Sequence, residues 1–262
     1  MGIASRDLNG DGRDEVMLTS MGDQVLLIAR PTGGYDAAPF EIGTYAHRPH
    51  VGGDGRPSTG WHAEFGDVDN DGLADLFIAK GNVDQMPGMA TKDPNNLLMQ
   101  KSDGTFVEVA ETAGIATLGR SRGAALADFD QDGRLDLVVI NRRDQMEVYR
   151  NVTPSTGTWA RIKVEQNGTN SDEKGARVEV TTHGRMQSIQ NLVGGGHAGG
   201  QALPLHFGLG SANSAEVRVV WPDGTFTRRS VDAGHTLTIR KGVLMDQAHS
   251  FLVRVFLRVS KH

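Results

Sequence analysis

A chain of 262 residues with a net charge of −5 is long enough for one or two domains with real cores, and having no cysteine it holds neither a disulfide framework nor a thiolate metal site. Its 27 lysines and arginines are scattered without a basic stripe, which argues against binding along a phosphate backbone and so against a nucleic-acid partner. Aromatic residues make up 6% against 34 glycines, a balance that suits short strands and tight turns. No apolar run is long enough to span a membrane, and the opening MGIASRDLNG has neither the basic nor the apolar region of a secretory signal.

The first feature in chain order is the acidic stretch DLNGDGRDE, residues 7–15. It returns as DVDNDGLAD at 67–75 and DFDQDGRLD at 128–136, at spacings of 60 and 61 residues, and the three copies hold twelve of the 32 acidic residues. So regular a recurrence predicts a repeat architecture. Only six residues precede the first copy, too few for the strand expected before each loop, so the chain is expected to begin inside a repeat and to be a fragment of a longer protein.

Each loop is followed by an apolar run of strand length, VMLTS, LFIAK or LVVIN, and then by an Asp-Gln pair, at Asp23-Gln24, Asp84-Gln85 and Asp144-Gln145. A further apolar run comes next, VLLIAR, NNLLMQ or MEVYRN, and in the second copy the turn SDGTF leads into FVEVAE. With no helix-length periodic segment, each unit reads as a small antiparallel sheet. Residues 1–152 are therefore predicted to form a partial β-propeller of about three blades.

Carboxylates two residues apart converge on one point only if the backbone curls, which a glycine at loop position 6 permits. Such a cluster repels itself unless a cation lies within it, and calcium suits an all-oxygen set in flexible geometry. The expected ligands in the second loop are Asp67, Asp69, Asp71 and Asp75 by side chain and Leu73 by its carbonyl. In the third they are Asp128, Asp130, Asp132 and Asp136, with the carbonyl of Arg134; in the first, Asp7, Asn9, Asp11 and Glu15, with that of Arg13. Three calcium ions are expected, the first loop being weakest because of Asn9 and the longer Glu15. An EF-hand would need a glutamate at position 12, where Leu18, Ile78 and Val139 stand. Plain polar turns, the simplest competitor, do not account for the constant period.

After Asn151 the repeat ends, and TPSTGT reads as a linker to a second region, 157–242. There WARIKVEQ, ARVEVTT, SIQNLV, AEVRVVW, FTRRSV and TLTIR alternate as strands of a small antiparallel β-domain. In the tail, 243–262, Phe251, Val253, Val255, Leu257 and Val259 alternate with Arg254 and Arg258, a period of two that predicts an extra strand over a basic membrane-surface segment.

No catalytic residue is assigned. His47, His50, His62 and Glu64 are the most suggestive set for a transition metal, but they lack zinc-site spacing. His197 lies in the glycine-rich GGGHAGG with no G-x-S-x-G elbow anywhere in the chain, and His206 reads as a packed strand residue.

The acidic loops resemble FG-GAP/VCBS-type propeller repeats, as in integrin alpha chains. GARVEV at 175–180, HFGLG at 206–210, VRVVWPDG at 217–224 and LTI at 237–239 resemble an ASPIC/UnbV domain. The pairing resembles the cartilage acidic protein 1 family, over nearly all of residues 1–242. The resemblance implies an all-β, calcium-binding module, extracellular, cell-surface or periplasmic, and carries over no catalytic residue. The favoured reading is a non-enzymatic, adhesion-type interaction module with a protein or glycan partner. One alternative is an enzyme or accessory protein acting on glycans or a secreted metabolite. Another is a structural fragment that needs further blades, since about three cannot close a ring and would leave open edges for oligomer formation. The sequence departs from the family in VGGGHAGG, which lacks the serine- and glutamine-containing stretch expected after the glycines.

Overall fold

A computed structural model describes residues 1–45, 56–83, 86, 88–90, 92–197, 199–200 and 202–242. His47, His50, the Asp84-Gln85 pair and the tail 243–262 lie outside the described residues. Apart from one 3-10 turn at Phe40–Ile42, the regular elements described are strands, as an all-β fold requires.

The first sheet has strands β1 (Ile3–Arg6), β2 (Glu15–Leu18), β3 (Val25–Ala29) and β4 (Tyr35–Ala37) in that order. The second repeats the plan with β5 (Gly60–Gly66), β6 (Asp75–Lys80), β7 (Asn96–Gln100) and β8 (Phe106–Glu108). The third has β9 (Ser121–Ala127), β10 (Asp136–Asn141) and β11 (Glu147–Tyr149). All pairings in these sheets are antiparallel meanders, the form of a propeller blade. Each acidic loop joins the first two strands of its blade, and β5 packs against β1 on one side and β9 on the other.

The expectation that the chain starts too late for a first strand is corrected. Four residues suffice: β1 runs antiparallel to β2 with Ile3 opposite Leu18 and Arg6 opposite Glu15. A β-strand advances about 3.3 Å per residue, so four residues match the four of β2.

The middle blade shows why LFIA is a continuous apolar run and not an alternating one. Leu76 and Ile78 join a core with Met17, Leu26 and Leu98, while Phe77 and Ala79 point the other way into a core with Leu126, Leu137 and Val139. Every residue of β6 is buried, as in a strand covered on both faces.

Beyond the blades come β12 (Thr158–Glu165), β13 (Arg177–Thr182), β14 (Arg185–Gln190), β15 (Gly194–Gly195), β16 (Gly199–Gly200), β17 (Leu205–Gly210), β18 (Ser214–Val220), β19 (Phe226–Asp232) and β20 (His235–Arg240). Two sheets, β17-β12-β20 and β14-β13-β18-β19, close over a core that includes Ile162, Val178, Phe207, Val219 and Trp221. The pairing of β12 with β20 is parallel, an exception to the antiparallel plan. The strand expected over SIQNLV begins earlier, at Arg185. His183 and Gly184, both at positive φ, turn the chain in two residues and set Thr182 opposite Arg185.

Candidate metal centres

The three loops share one wiring scheme. The carboxylate at position 1 accepts the N–H of the position-6 glycine: Asp7 from Gly12 at 2.9 Å, Asp67 from Gly72 at 2.8 Å and Asp128 from Gly133 at 2.9 Å. These glycines sit at φ of 81°, 90° and 90°, the turn that the ligand argument required. Position 3 accepts the N–H of position 5: Asn9 accepts that of Asp11, Asp69 that of Asp71 and Asp130 that of Asp132. Position 5 in turn accepts the N–H of position 7, so Asp11, Asp71 and Asp132 cap Arg13, Leu73 and Arg134.

The ninth residue stitches the loop to the blade. Asp75 takes the N–H of Val68 at 2.9 Å on one oxygen and that of Gln100 at 2.9 Å on the other. Asp136 does the same with Phe129 at 3.0 Å and Asn151 at 2.8 Å. Glu15 does so with Leu8 at 2.8 Å and Ala29 at 3.4 Å, its longer side chain giving the poorer second bond.

In two loops the carboxylates gather closely enough to share an ion. Oxygens of Asp67, Asp69 and Asp71 lie within 4.8 Å of one another, as do those of Asp128, Asp130 and Asp136. Asp75 stays outside the first of these groups. In the third loop Asp132 is drawn away by Arg134 and by Arg150 at 3.3 Å, which hold it down at about 2. In the first loop Asp11 is paired with Arg13 at 2.5 Å and Asn9 supplies no charge, and no such acidic group forms there among the described residues.

The electrostatics of the two groups differ. Burial pushes Asp67 up to about 8, with Asp71 adding repulsion that the Gly72 N–H only partly offsets; burial also raises Asp71, and lifts Asp75 well above the carboxylate range. In the third loop Arg161 contacts Asp128 at 3.2 Å and Arg150 contacts Asp130 at 2.6 Å. One oxygen of Asp128, Oδ1, is nevertheless buried with no hydrogen-bond partner. A hard cation would satisfy that oxygen and remove the strain at Asp67, so both donor sets fit calcium.

The loops also carry the C-terminal domain. Asn70 is buried at φ 59°; its carbonyl accepts the Gly210 N–H at 2.8 Å and its side chain meets His206 Nε2 at 2.7 Å. Asp69 O accepts the Gly157 N–H at 2.8 Å, tying down the expected linker. Gly133 lies so close under the Trp159 ring that a side chain there would overlap it. From the first loop, Asp14 pairs with Arg177 at 2.9 Å.

Sequence reasoning missed the amides that chain one loop to the next. Gln100 Nε2 donates to Leu8 O at 3.3 Å, and Asn151 Nδ2 donates to Val68 O at 2.7 Å, each reaching from the end of a third strand to position 2 of the preceding blade's loop. Their signal was visible as the last residue of NNLLMQ and MEVYRN; Ala29 stands at the matching place in the first blade. Among the histidines, His62 Nε2 sits 3.2 Å from Glu64 on β5 and its Nδ1 accepts the His197 N–H. His206 is a strand residue stacked on Trp159, as expected.

Three antiparallel blades with wired acidic loops, followed by a two-sheet β-domain, define a repeat protein of the propeller class. The chain matches the FG-GAP-like repeat family over residues 7–78 and 88–139, and the ASPIC and UnbV family over 166–244. It carries FG-GAP repeats plus an ASPIC/UnbV domain, and its relatives are cartilage acidic proteins. It is 27% identical over 172 residues to Cartilage acidic protein 1 of Homo sapiens, covering 64% of this chain and 26% of that protein. To the Mus musculus protein it is 27% identical over 169 residues, 63% of this chain and 26% of the relative. To that of Xenopus tropicalis it is 30% identical over 120 residues, 44% and 18%. The match thus spans about a quarter of the first two relatives. Among the described residues no helix is long and apolar enough to cross a membrane.

Proposed function

We propose that this chain is a calcium-stabilised, non-enzymatic interaction module that works outside the cell and engages a protein or glycan partner. Its units are the repeats of 1–152 and the β-domain of 157–242. The observation that carries the reading is the pair of carboxylate groups, Asp67-Asp69-Asp71 and Asp128-Asp130-Asp136, with a partnerless buried oxygen on Asp128. The first loop, with Asn9 and Glu15, is a weaker third site. Calcium at about 1 mM, the level matched by extracellular modules of modest affinity, fills such sites outside cells.

In mechanical terms the ion replaces carboxylate repulsion by coordination, which makes the loop backbone rigid. Because Asp69, Asn70 and Gly133 contact the C-terminal domain, loop order passes directly into domain docking. The side chains that would hold the ions are Asp67, Asp69 and Asp71 in the second loop and Asp128, Asp130 and Asp136 in the third, with Asp7, Asn9, Asp11 and Glu15 in the weaker first, together with the carbonyls of Leu73, Arg134 and Arg13. The repeats' match to FG-GAP-like sequences and the similarity to Cartilage acidic protein 1 support an extracellular setting.

The test is thermal unfolding in excess EDTA and then in about 1 mM calcium, with magnesium as control. A calcium-specific rise in Tm that disappears in Asp69→Ala/Asp71→Ala and in Asp130→Ala supports the module. A Tm indifferent to calcium would remove the metal from the account.

A further inference from the structure

Between the first strands of the three blades and the C-terminal domain lies a cleft of about 680 Å³, within the range of small-ligand sites. β1, β5 and β9 line one wall, and β17 with the glycine-rich β15–β16 hairpin lines the other. Its charged groups are Arg6, Arg161, Glu64 and Asp128, with His62 beside Glu64. Glu64 is partnered by His62 at 3.2 Å, and Asp128 by Arg161 at 3.2 Å.

Arg6 is left over. It is 7% exposed, lies over the Phe207 ring at 5.8 Å, and makes no ion pair or side-chain hydrogen bond among the described residues. The acids that act on it from a distance are otherwise engaged: Asp7 and Asp67 accept loop N–H groups and Asp14 pairs with Arg177. Asp67, Asp14 and Asp7 offset part of the cost of burying this guanidinium, but none touches it, and its fork geometry is left to match a carboxylate in direct contact.

A second observation is independent of charge. Four of the large apolar side chains that stand exposed, Ile3, Leu192, Val193 and Leu203, all line this one cleft. Scattered apolar residues on a surface are ordinary, whereas a cluster at the mouth of a concave site marks a binding surface.

We propose that the cleft binds a small organic carboxylate, its anionic head paired with Arg6 at the floor and its apolar body lying along Ile3, Leu192, Val193 and Leu203 at the mouth. Arg161 adds positive potential beside the head, and Phe65 and Leu126 supply apolar wall. The cleft thereby selects a ligand with one charged end and one apolar end, and discriminates against a neutral one of the same length. This site shares the Asp128–Arg161 pair with the third acidic loop, but the pairing of the ligand with Arg6 needs no bound ion and so does not depend on the calcium reading.

The test is calorimetric titration of the full chain, in about 1 mM calcium, with octanoate and with octanamide as its uncharged counterpart. We expect saturable octanoate binding with a Kd of about 1 mM or tighter, and octanamide at least about tenfold weaker, a difference of about 1.4 kcal/mol. Arg6→Gln should abolish the preference for the acid. Because Arg6 is buried and its replacement could impair folding, Leu203→Glu serves as the second variant. It lies at the exposed mouth, should fold normally by circular dichroism, and should weaken octanoate at least about fivefold through lost apolar contact and like charge. No saturable octanoate binding up to about 10 mM, equal binding of octanamide, or full binding by a folded Arg6→Gln or Leu203→Glu protein would each overturn the proposal.

Discussion

Asn70 and His206 stand 136 residues apart and meet at 2.7 Å, Oδ1 of the amide against Nε2 of the ring. The same amide donates through Nδ2 to Gly133 O at 2.9 Å. One buried side chain thus joins the second acidic loop, the third acidic loop and the C-terminal domain. Burial, reinforced by Arg161 and Arg6, pulls His206 down to about 3, so the ring is neutral at physiological pH and donates from Nε2. Asn70→Ala should destabilise the protein by about 2–4 kcal/mol, from two orphaned buried groups plus a left-handed backbone without a residue suited to it. Denaturant unfolding measures it, and Asn70→Gly should recover only the backbone share.

The ninth loop residue and the fifth should respond differently to metal. Asp75 holds the Val68 and Gln100 N–H groups whether or not an ion is bound. Asp75→Ala is therefore expected to cost about 2–4 kcal/mol in EDTA as well as in calcium. Asp71→Ala, which removes a side chain from the carboxylate group, should cost only about 1 kcal/mol in EDTA, for the lost Leu73 N–H bond, and show most of its deficit in calcium. Melting both variants in both buffers decides between a ligand and a structural clasp.

Calcium dependence should itself depend on pH. The folded-state value of Asp67, about 8, lies above its ordinary 3.8, so its contribution to stability is fully present below about pH 4 and is lost as pH rises through about 8. In EDTA, Asp67 should therefore lower Tm progressively across that window. Calcium binds the ionised form, so the calcium-induced rise in Tm should be larger at pH 8 than at pH 5. Asp67→Asn should flatten the EDTA profile, and a Tm difference independent of pH would contradict this assignment.

Gly133 is tight in two ways, with φ at 90° and the Trp159 ring packed against it. Gly133→Ala should cost at least about 2 kcal/mol and disturb Trp159. Gly104, at φ 84° with open space around it, is the control: Gly104→Ala carries the backbone strain alone, about 1–2 kcal/mol. Tryptophan fluorescence together with unfolding separates steric displacement of the indole from strain.

The middle blade should be the least tolerant of truncation. Phe77 and Leu76 are both fully buried, on opposite faces of β6. Phe77→Ala should cost about 3–5 kcal/mol and Leu76→Ala about 2–5 kcal/mol, each loosening a different blade-to-blade core. Val16→Ala on the half-buried face of β2 should cost less than either, and chemical denaturation ranks the three.

Much of this protein is local enough to be determined by sequence alone. The period of the acidic loops, the glycine turn at position 6 and the runs VMLTS, LFIAK and LVVIN depend on neighbouring residues, whose backbone preferences and side-chain alternation do not wait for distant contacts. Even the burial of both faces of β6 was foreshadowed by its unbroken apolar run. The first strand escaped notice because Ile3–Arg6 has no strand pattern of its own length; pairing with β2 decides it. The start of β14 escaped because His183-Gly184 is a two-residue turn with an unusual first residue. Tertiary structure alone decided which carboxylates meet. Whereas the Arg13–Asp11 and Arg134–Asp132 pairs lie within their loops, Arg150 reaches Asp132 from 18 residues along the chain and Gln100 brings its N–H to Asp75 from 25, distances across the fold that spacing in a loop does not encode. The parallel pairing of β12 with β20 and the cleft above Arg6 belong to the same class, because each joins residues brought together only once separate sheets have packed.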